Sequence, residues 1–306
     1  MRAVWSLWTK PLRAGRRQGW ATLRHQLLGW ILSVETARQH YPHTTLVTDD
    51  EGAEMLVAGL GLHFEQVSTA LNRLDGHDPE WWAFGKLVAH TLQTEPFVHL
   101  DNDVFLWQRL PAGVEAADVC AQNPEVFDYG CSYYRPEQFE FAIQRVGGWL
   151  PAEMESYMPV GGVQWAVCCG LVGGNRVDFL RYYANLAIRL IEHPRNRPAW
   201  LLLDDKIGDN IIFEQYLLAA CLQHHQKTPA SPFRQVDIRY LFASQEEAAS
   251  KAVATGYTHL IGDAKQNPVV LERLEARVRQ EYPLHYARCL ALLSKNPQSA
   301  RYGVPV

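Results

Sequence analysis

The chain has little of what marks the simpler function classes. Its six cysteines in 306 residues include no Cys-x-x-Cys pair and no metal-knuckle spacing. A disulfide framework and a zinc knuckle are therefore excluded, and Cys120, Cys131, Cys168, Cys169, Cys221 and Cys289 read as thiols of a reducing compartment. Lysine is scarce, at seven residues, and the formal net charge is −4 with a pI near 6.3. That balance argues against a protein that works by neutralising nucleic-acid phosphates, so no nucleic-acid partner is expected. The longest apolar patch, around Leu27 to Val34, is too short and too amphipathic for a signal peptide or a bilayer span. A cytoplasmic protein without a transmembrane segment is the expectation. Internal repeats and low-complexity segments are absent too, while 47% hydrophobic and 20% charged residues are ordinary for a chain with a real core.

What is present is an alternation of apolar strands with amphipathic helices. Residues 2–8 read as a strand, and Trp20, Leu23, Leu27, Ile31 and Val34 give a helical period over 20–40. Strands are expected at 43–52 and 63–71 and a short helix at 51–60, closed by Gly61. A helix over 80–94 precedes FVHLDNDVFL, read as one strand over 97–106, and another strand lies near 117–121. Residues 122–165, rich in Tyr, Pro, Gly and Trp, read as a long irregular excursion. Then come a strand with a Gly turn at 166–175, helices at 177–192 and 209–224, late strands in VDIRYLFA and YTHLIG, and a helical tail at 269–295. This order predicts an α/β fold, a mostly parallel central sheet flanked by helices. One domain is expected over residues 1–265, with a C-terminal helical extension over 266–306.

Chemistry concentrates at two places. Asp101-Asn102-Asp103 ends a buried strand, where alternate side chains share a face and two carboxylates suit a divalent cation such as Mg²⁺ or Mn²⁺ that also holds phosphates. A chain with 14 Asp contains about 0.6 Asp-x-Asp matches by chance, so position carries the signal. Charge placed directly after FVHL costs stability unless it is used. The alternative is an Asx turn capping the strand. The second place is His259-Leu260-Ile261-Gly262-Asp263-Ala264-Lys265, which combines a possible metal ligand, a close backbone approach and a point charge for a diphosphate, or else a satisfied histidine and a solvated lysine.

FGKLVAHTLQTEPFVHLDNDVFL followed by YTHLIGDAKQNP resembles the GT-A-fold glycosyltransferases, in particular the glycogenin-like and lipopolysaccharide galactosyltransferase family. The late His-x-x-Gly-x-x-Lys spacing at His259, Gly262 and Lys265 is its most specific point. The resemblance implies a Rossmann-like GT-A fold and transfer of a sugar from a nucleotide-diphospho-sugar, UDP-linked, to a saccharide, lipid, peptide or small-molecule acceptor. It further implies that Asp101, Asp103 and His259 hold Mn²⁺ or Mg²⁺, that Asp101 also contacts the ribose, and that Lys265 holds the diphosphate. Lys86 would sit near the donor sugar, and Trp5 and Ser6 where the nucleoside binds. Two departures stand out. Cys168-Cys169-Gly170 replaces the family's Asn-Ser-Gly, and Glu214-Gln215 replaces Asp-Gln beside the reacting carbon, which leaves retention or inversion open. Acceptor binding would fall in the excursion, with Tyr129, Tyr133, Tyr134, Trp149, Tyr157 and Trp165. The alternatives are a nucleotidyltransferase and a nucleotide-sugar-binding protein without turnover.

Overall fold

The computed structural model describes residues 1–16, 19–128, 131, 133–157 and 163–295, so that Tyr129 and the end of the expected extension, 296–306, lie outside the described residues. Eleven strands are found among the described residues: β1 (Arg2–Leu7), β2 (Thr44–Thr48), β3 (Gln66–Ser68), β4 (Phe97–Leu100), β5 (Val104–Leu106), β6 (Val119–Ala121), β7 (Pro124–Phe127), β8 (Gln164–Val167), β9 (Leu171–Gly174), β10 (Ile238–Tyr240) and β11 (Tyr257–His259). The chain divides into two compact units. The first comprises Glu80–His99 and Leu110–Lys251; the second comprises Arg2–Pro79, Leu100–Arg109 and the chain from Ala252 on.

In the second unit β1, β2 and β3 lie side by side and parallel, with Trp5 opposite Leu46. Parallel neighbours need a crossover, and the helix Leu23–Arg38 supplies it. Thr22 starts that helix by accepting the His25 N–H with its side chain, and eleven of its sixteen residues are buried, which explains its weak amphipathicity. The crossover from β2 to β3 is a short helix, Asp50–Ala53, capped by Asp49 and running into a π-helical turn, Glu54–Gly59. The helix Pro268–Glu281, capped by Asn267, buries Leu271, Leu274 and Val278. A separate two-stranded ribbon pairs β11 with β5 antiparallel.

In the first unit the strand order is β10, β6, β9, β4; β10 runs parallel to β6, and β9 antiparallel to it. Glycine is required where these strands crowd, since a Cβ on Gly173 would lie 2.0 Å from the Phe97 carbonyl oxygen. The helices Phe84–Thr91 and Val177–Glu192 pack on one another here, and Trp81 sits edge-on to both Trp200 and Phe213.

The α/β class and the mostly parallel strands match the expectation, and the helix at 177–192 coincides with its expected limits. Several local expectations are corrected. Residues 97–106 are two strands with a turn at 101–103, so Asp101 and Asp103 are not strand neighbours on one pleat. The strand expected over 63–71 is only Gln66–Ser68, because a 3₁₀ helix takes over at Ala70. The described residues of 122–165 are not all irregular: they hold β7, the helices Pro136–Arg145 and Ala152–Glu155, and the start of β8, which pairs antiparallel with β7. The unforeseen helix Gln245–Thr255 buries no residue, so it has no apolar stripe to read. Its start is fixed instead by the Glu247 N–H donating to Ser244 Oγ at 3.2 Å.

One close approach in the second unit is testable. A Cβ on Gly29, inside the first long helix, would lie 2.6 Å from the Trp20 ring and 2.9 Å from the Asn102 carbonyl oxygen. Gly29→Ala would gain about 1 kcal/mol of helix propensity on an open surface. Here it should instead lower stability by about 1–3 kcal/mol through overpacking; a melting temperature equal to or above that of the parent would show that the turn at Asn102 can give way.

Candidate metal centre

The turn after β4 is held from three sides. The Asp101 carbonyl accepts the Val104 N–H at 3.1 Å and the Ser33 hydroxyl at 3.0 Å. Ser33 in turn accepts Trp5 Nε1 at 2.9 Å, and the Asn102 carbonyl rests over Gly29. The Asp103 carbonyl accepts the Leu260 N–H at 3.0 Å and so extends the β11–β5 ribbon, in which His259 stands opposite Val104. Antiparallel pairing thus joins two segments far apart in sequence. One donor atom each from Asp101, Asp103 and His259 lies within 4.8 Å of the others, a set that could hold a metal ion.

Charge in this group is organised around Asp103, which is buried. Lys265 Nζ lies 2.5 Å from its Oδ2, and His259 Nε2 lies 3.5 Å from its Oδ1. Burial alone would push this carboxyl up, but the charges of Lys265 and His259 outweigh it and hold the group well below the usual carboxylate range. Oδ1 has no hydrogen bond of good geometry, which leaves a buried acceptor with lone pairs to spare. Two carboxylates and an imidazole are a hard, mixed O/N donor set that fits Mn²⁺ or Mg²⁺. Lys265 is delivered by the 3₁₀ turn Gly262–Lys265, opened by Gly262 at φ +54° with open space where a Cβ would be. That turn is tied down by the Ala21 N–H donating to the Lys265 carbonyl at 3.2 Å and by Gln266 Nε2 donating to the Gly19 carbonyl at 2.5 Å.

The remaining expected residues fall in other surroundings. Trp5 is fully buried and packs edge-on against Phe64, so it is a core residue; Ser6 beside it is partly exposed. In the first unit Lys86 Nζ lies 2.6 Å from Glu214 Oε1 and donates to the Cys169 carbonyl at 3.0 Å, with both side chains buried. His90 and His99 lie near this pair; burial, reinforced by the Lys86 charge, pushes His90 down to about 3 and His99 well down, so both rings are neutral at pH 7. Glu214 and Gln215 sit in a π-helical turn, Ile212–Tyr216, ahead of the helix Leu217–Lys227. Such turns hold one residue more than an α-helical turn and recur at functional sites. Gln215 Oε1 and Glu125 Oε2 both hydrogen-bond the Tyr134 hydroxyl.

Sequence reasoning missed Ser33 and Glu125, and gave Tyr134 only as one of the aromatics of the excursion. Ser33 carried a signal, a polar residue in the apolar run ILSV; Glu125 carried none, because its meaning depends on a hairpin that local pattern does not reveal. Among known families, a model for a family of unknown function, DUF6734, matches residues 1–292, and the chain belongs to that family. No curated protein matches it.

Two outcomes follow from the paired charges. Lys86→Met leaves Glu214 buried beside no counter-charge and should cost about 3–5 kcal/mol, with much of the loss recovered in Lys86→Met/Glu214→Leu; denaturant unfolding of the single and double variants measures both. Lys265→Met removes from the Asp103 carboxylate a cation that competes with Mn²⁺ and should tighten Mn²⁺ binding about tenfold, read by electron paramagnetic resonance of free Mn²⁺. Unchanged or weaker binding would show that Lys265 does not compete for that carboxylate.

Proposed function

We propose that this member of the DUF6734 family is a GT-A-type, metal-dependent glycosyltransferase, moving a sugar from a nucleotide-diphospho-sugar, UDP-linked, to an acceptor. The observation that carries this reading is the convergence of Asp101, Asp103 and His259 with Lys265 on the same carboxylate. The sequence resemblance alone placed these four residues in one site; the ribbon of β5 and β11 gives a physical reason for it.

In this reading Asp101, Asp103 and His259 hold Mn²⁺ or Mg²⁺, which when bound supplies positive charge against the charge that develops on the leaving diphosphate. Lys265 gives up Asp103 to hold the diphosphate, and Asp101 contacts the ribose. Lysine suits this task because its ammonium is a compact point charge on a flexible stem, free to exchange one anion for another. Glu214 is the carboxylate assigned to the donor sugar, with Lys86 as its fixed counter-charge at 2.6 Å. Whether Glu214 touches the anomeric centre or serves as a general base decides between retention and inversion. A second reading, nucleotide-sugar binding without turnover, draws on Cys169: its thiol is buried and bonded to the Val167 carbonyl at 3.1 Å, where the family resemblance leads one to expect a polar contact to sugar.

Thermal-shift measurements with UDP, GDP and CDP, each with and without Mn²⁺, test the assignment. Stabilisation by UDP that requires Mn²⁺ is expected, lost in Asp103→Asn together with Mn²⁺-dependent hydrolysis of UDP-sugars, while that variant still folds. No metal-dependent stabilisation by any of the three nucleotides would sink the proposal, and stabilisation without hydrolysis or transfer would favour the binding protein.

A further inference from the structure

The helix Pro136–Arg145 of the first unit buries one side and leaves the other open. Phe139, Ala142 and Ile143 are buried, and Phe139 packs on Trp200 with ring centroids 5.3 Å apart, which fixes the helix against the 3₁₀ turn Arg197–Leu201. On the open side Phe141 is 60% exposed and lines a groove whose far wall is Leu202, Leu203 and Asp204. Leu202 is itself 46% exposed, and Leu201, one residue before that wall, is 87% exposed. A lone exposed apolar residue is ordinary, whereas three large ones at one groove mark an interaction surface.

The charges on this helix say what the surface fits. Glu137 and Arg145 line the same groove as Phe141, so the three share one face, and they stand four residues before it and four residues after it. Glu137 is half-exposed and Arg145 exposed. The helix therefore presents an acid, an aromatic ring and a base in line, each step about 6 Å along the axis. A two-fold axis through Phe141, perpendicular to the helix, reverses that order. Glu137 of each copy then faces Arg145 of the other, and the two Phe141 rings meet at the centre. Rows of residues four apart are also the ridges along which helices most commonly pack.

Other occupants fit less well. A peptide charged with one sign meets like charge at one end of the groove, and a lipid surface covers Glu137, Arg145 and Asp204 without supplying their counter-charges. We propose that the helix Pro136–Arg145 and the groove beside it form an isologous interface, through which two copies of this chain pair with these helices antiparallel and Phe141 at the centre. The surface is small and its two ion pairs lie at the rim, so the dimer is weak, with a Kd of about 10–100 µM. Pairing of this kind needs neither metal nor nucleotide and is independent of the glycosyltransferase reading.

Sedimentation velocity of the full chain between about 1 and 300 µM reads the pairing directly. The mass should rise from 34.8 kDa towards twice that value with concentration. Phe141→Ser should weaken self-association about thirtyfold or more. Because that side chain is exposed, the variant should melt within a few degrees of the parent, which separates lost pairing from lost fold. Glu137→Arg and Arg145→Glu each place like charges at both ends of the interface and should weaken it about tenfold. Mixed in equal amounts, the same two variants present opposite charges to each other at both ends, so the mixture should regain the association of the parent. A parent that stays at 34.8 kDa throughout, charge variants that associate as the parent does, or a mixture no more associated than its components overturns the two-fold pairing.

Discussion

A carboxylate cannot stay ionised away from water unless cations or donors replace the water it lost, and the second unit is arranged around meeting that demand at Asp103. The side chain is buried on a turn whose backbone is fixed by Ser33, Val104 and Leu260, so it has no freedom to swing out to solvent. Lys265 and His259 must therefore come to it. Each arrives on a local device: His259 on a strand paired with β5, and Lys265 on a 3₁₀ turn that Gly262 permits. The same demand makes the place suited to a divalent cation, because an anionic centre satisfied by a movable ammonium accepts another cation without rearranging the backbone.

The first unit solves a similar problem with different parts. Glu214 is as deeply buried as Asp103, and its counter-ion Lys86 is locked in turn by the Cys169 carbonyl. The imidazoles of His90 and His99 behind Lys86 are held neutral by burial and by its charge, so they do not dilute its attraction for Glu214. The two pairs differ in what carries their lysines. Lys265 projects from a short turn of exposed and half-buried residues, whereas Lys86 projects from a helix whose residues Phe84 to His90 are all buried.

The alternation of strands and helices was legible because it rests on periodicity, and periodicity is local. Helix 177–192 was readable to the residue since Phe179, Leu180, Tyr183, Ala184, Leu186, Ala187 and Leu190 fall on one buried stripe. The turn inside 97–106 was not readable, because Val104, Phe105 and Leu106 continue the apolar pattern of β4 after three polar residues, as a single strand with a polar interruption would. The hairpin of β7 and β8 was hidden for another reason: its strands are separated by more than thirty residues, and Pro124 opening β7 looks like a loop residue. For the site, the residue types and their spacing in Asp101, Asp103, His259 and Lys265 pointed to one cluster through a family resemblance. Asp101 and Asp103 lie on a turn between β4 and β5 rather than on one strand face, and the residues that hold this turn, Ser33 and Gly29, lie on a helix where only the third dimension gives them a role.

The π-helical turn at Ile212–Tyr216 can be viewed as an α-helix that has absorbed one extra residue. An insertion of that kind rotates everything on one side of it by about 100° relative to the other. Its effect is to let two consecutive polar residues diverge: Glu214 is drawn inward to Lys86, while Gln215 reaches the Tyr134 phenol. The apolar stripe of Leu217–Lys227 keeps its own phase regardless, with Leu217, Leu218, Cys221, Leu222 and His225 buried. Relatives that differ by a single-residue deletion here would keep the helix and its packing yet exchange one neighbour for another at this point. A length change of one residue, invisible to any measure of overall similarity, would thus separate members that share a scaffold from members that share its chemistry.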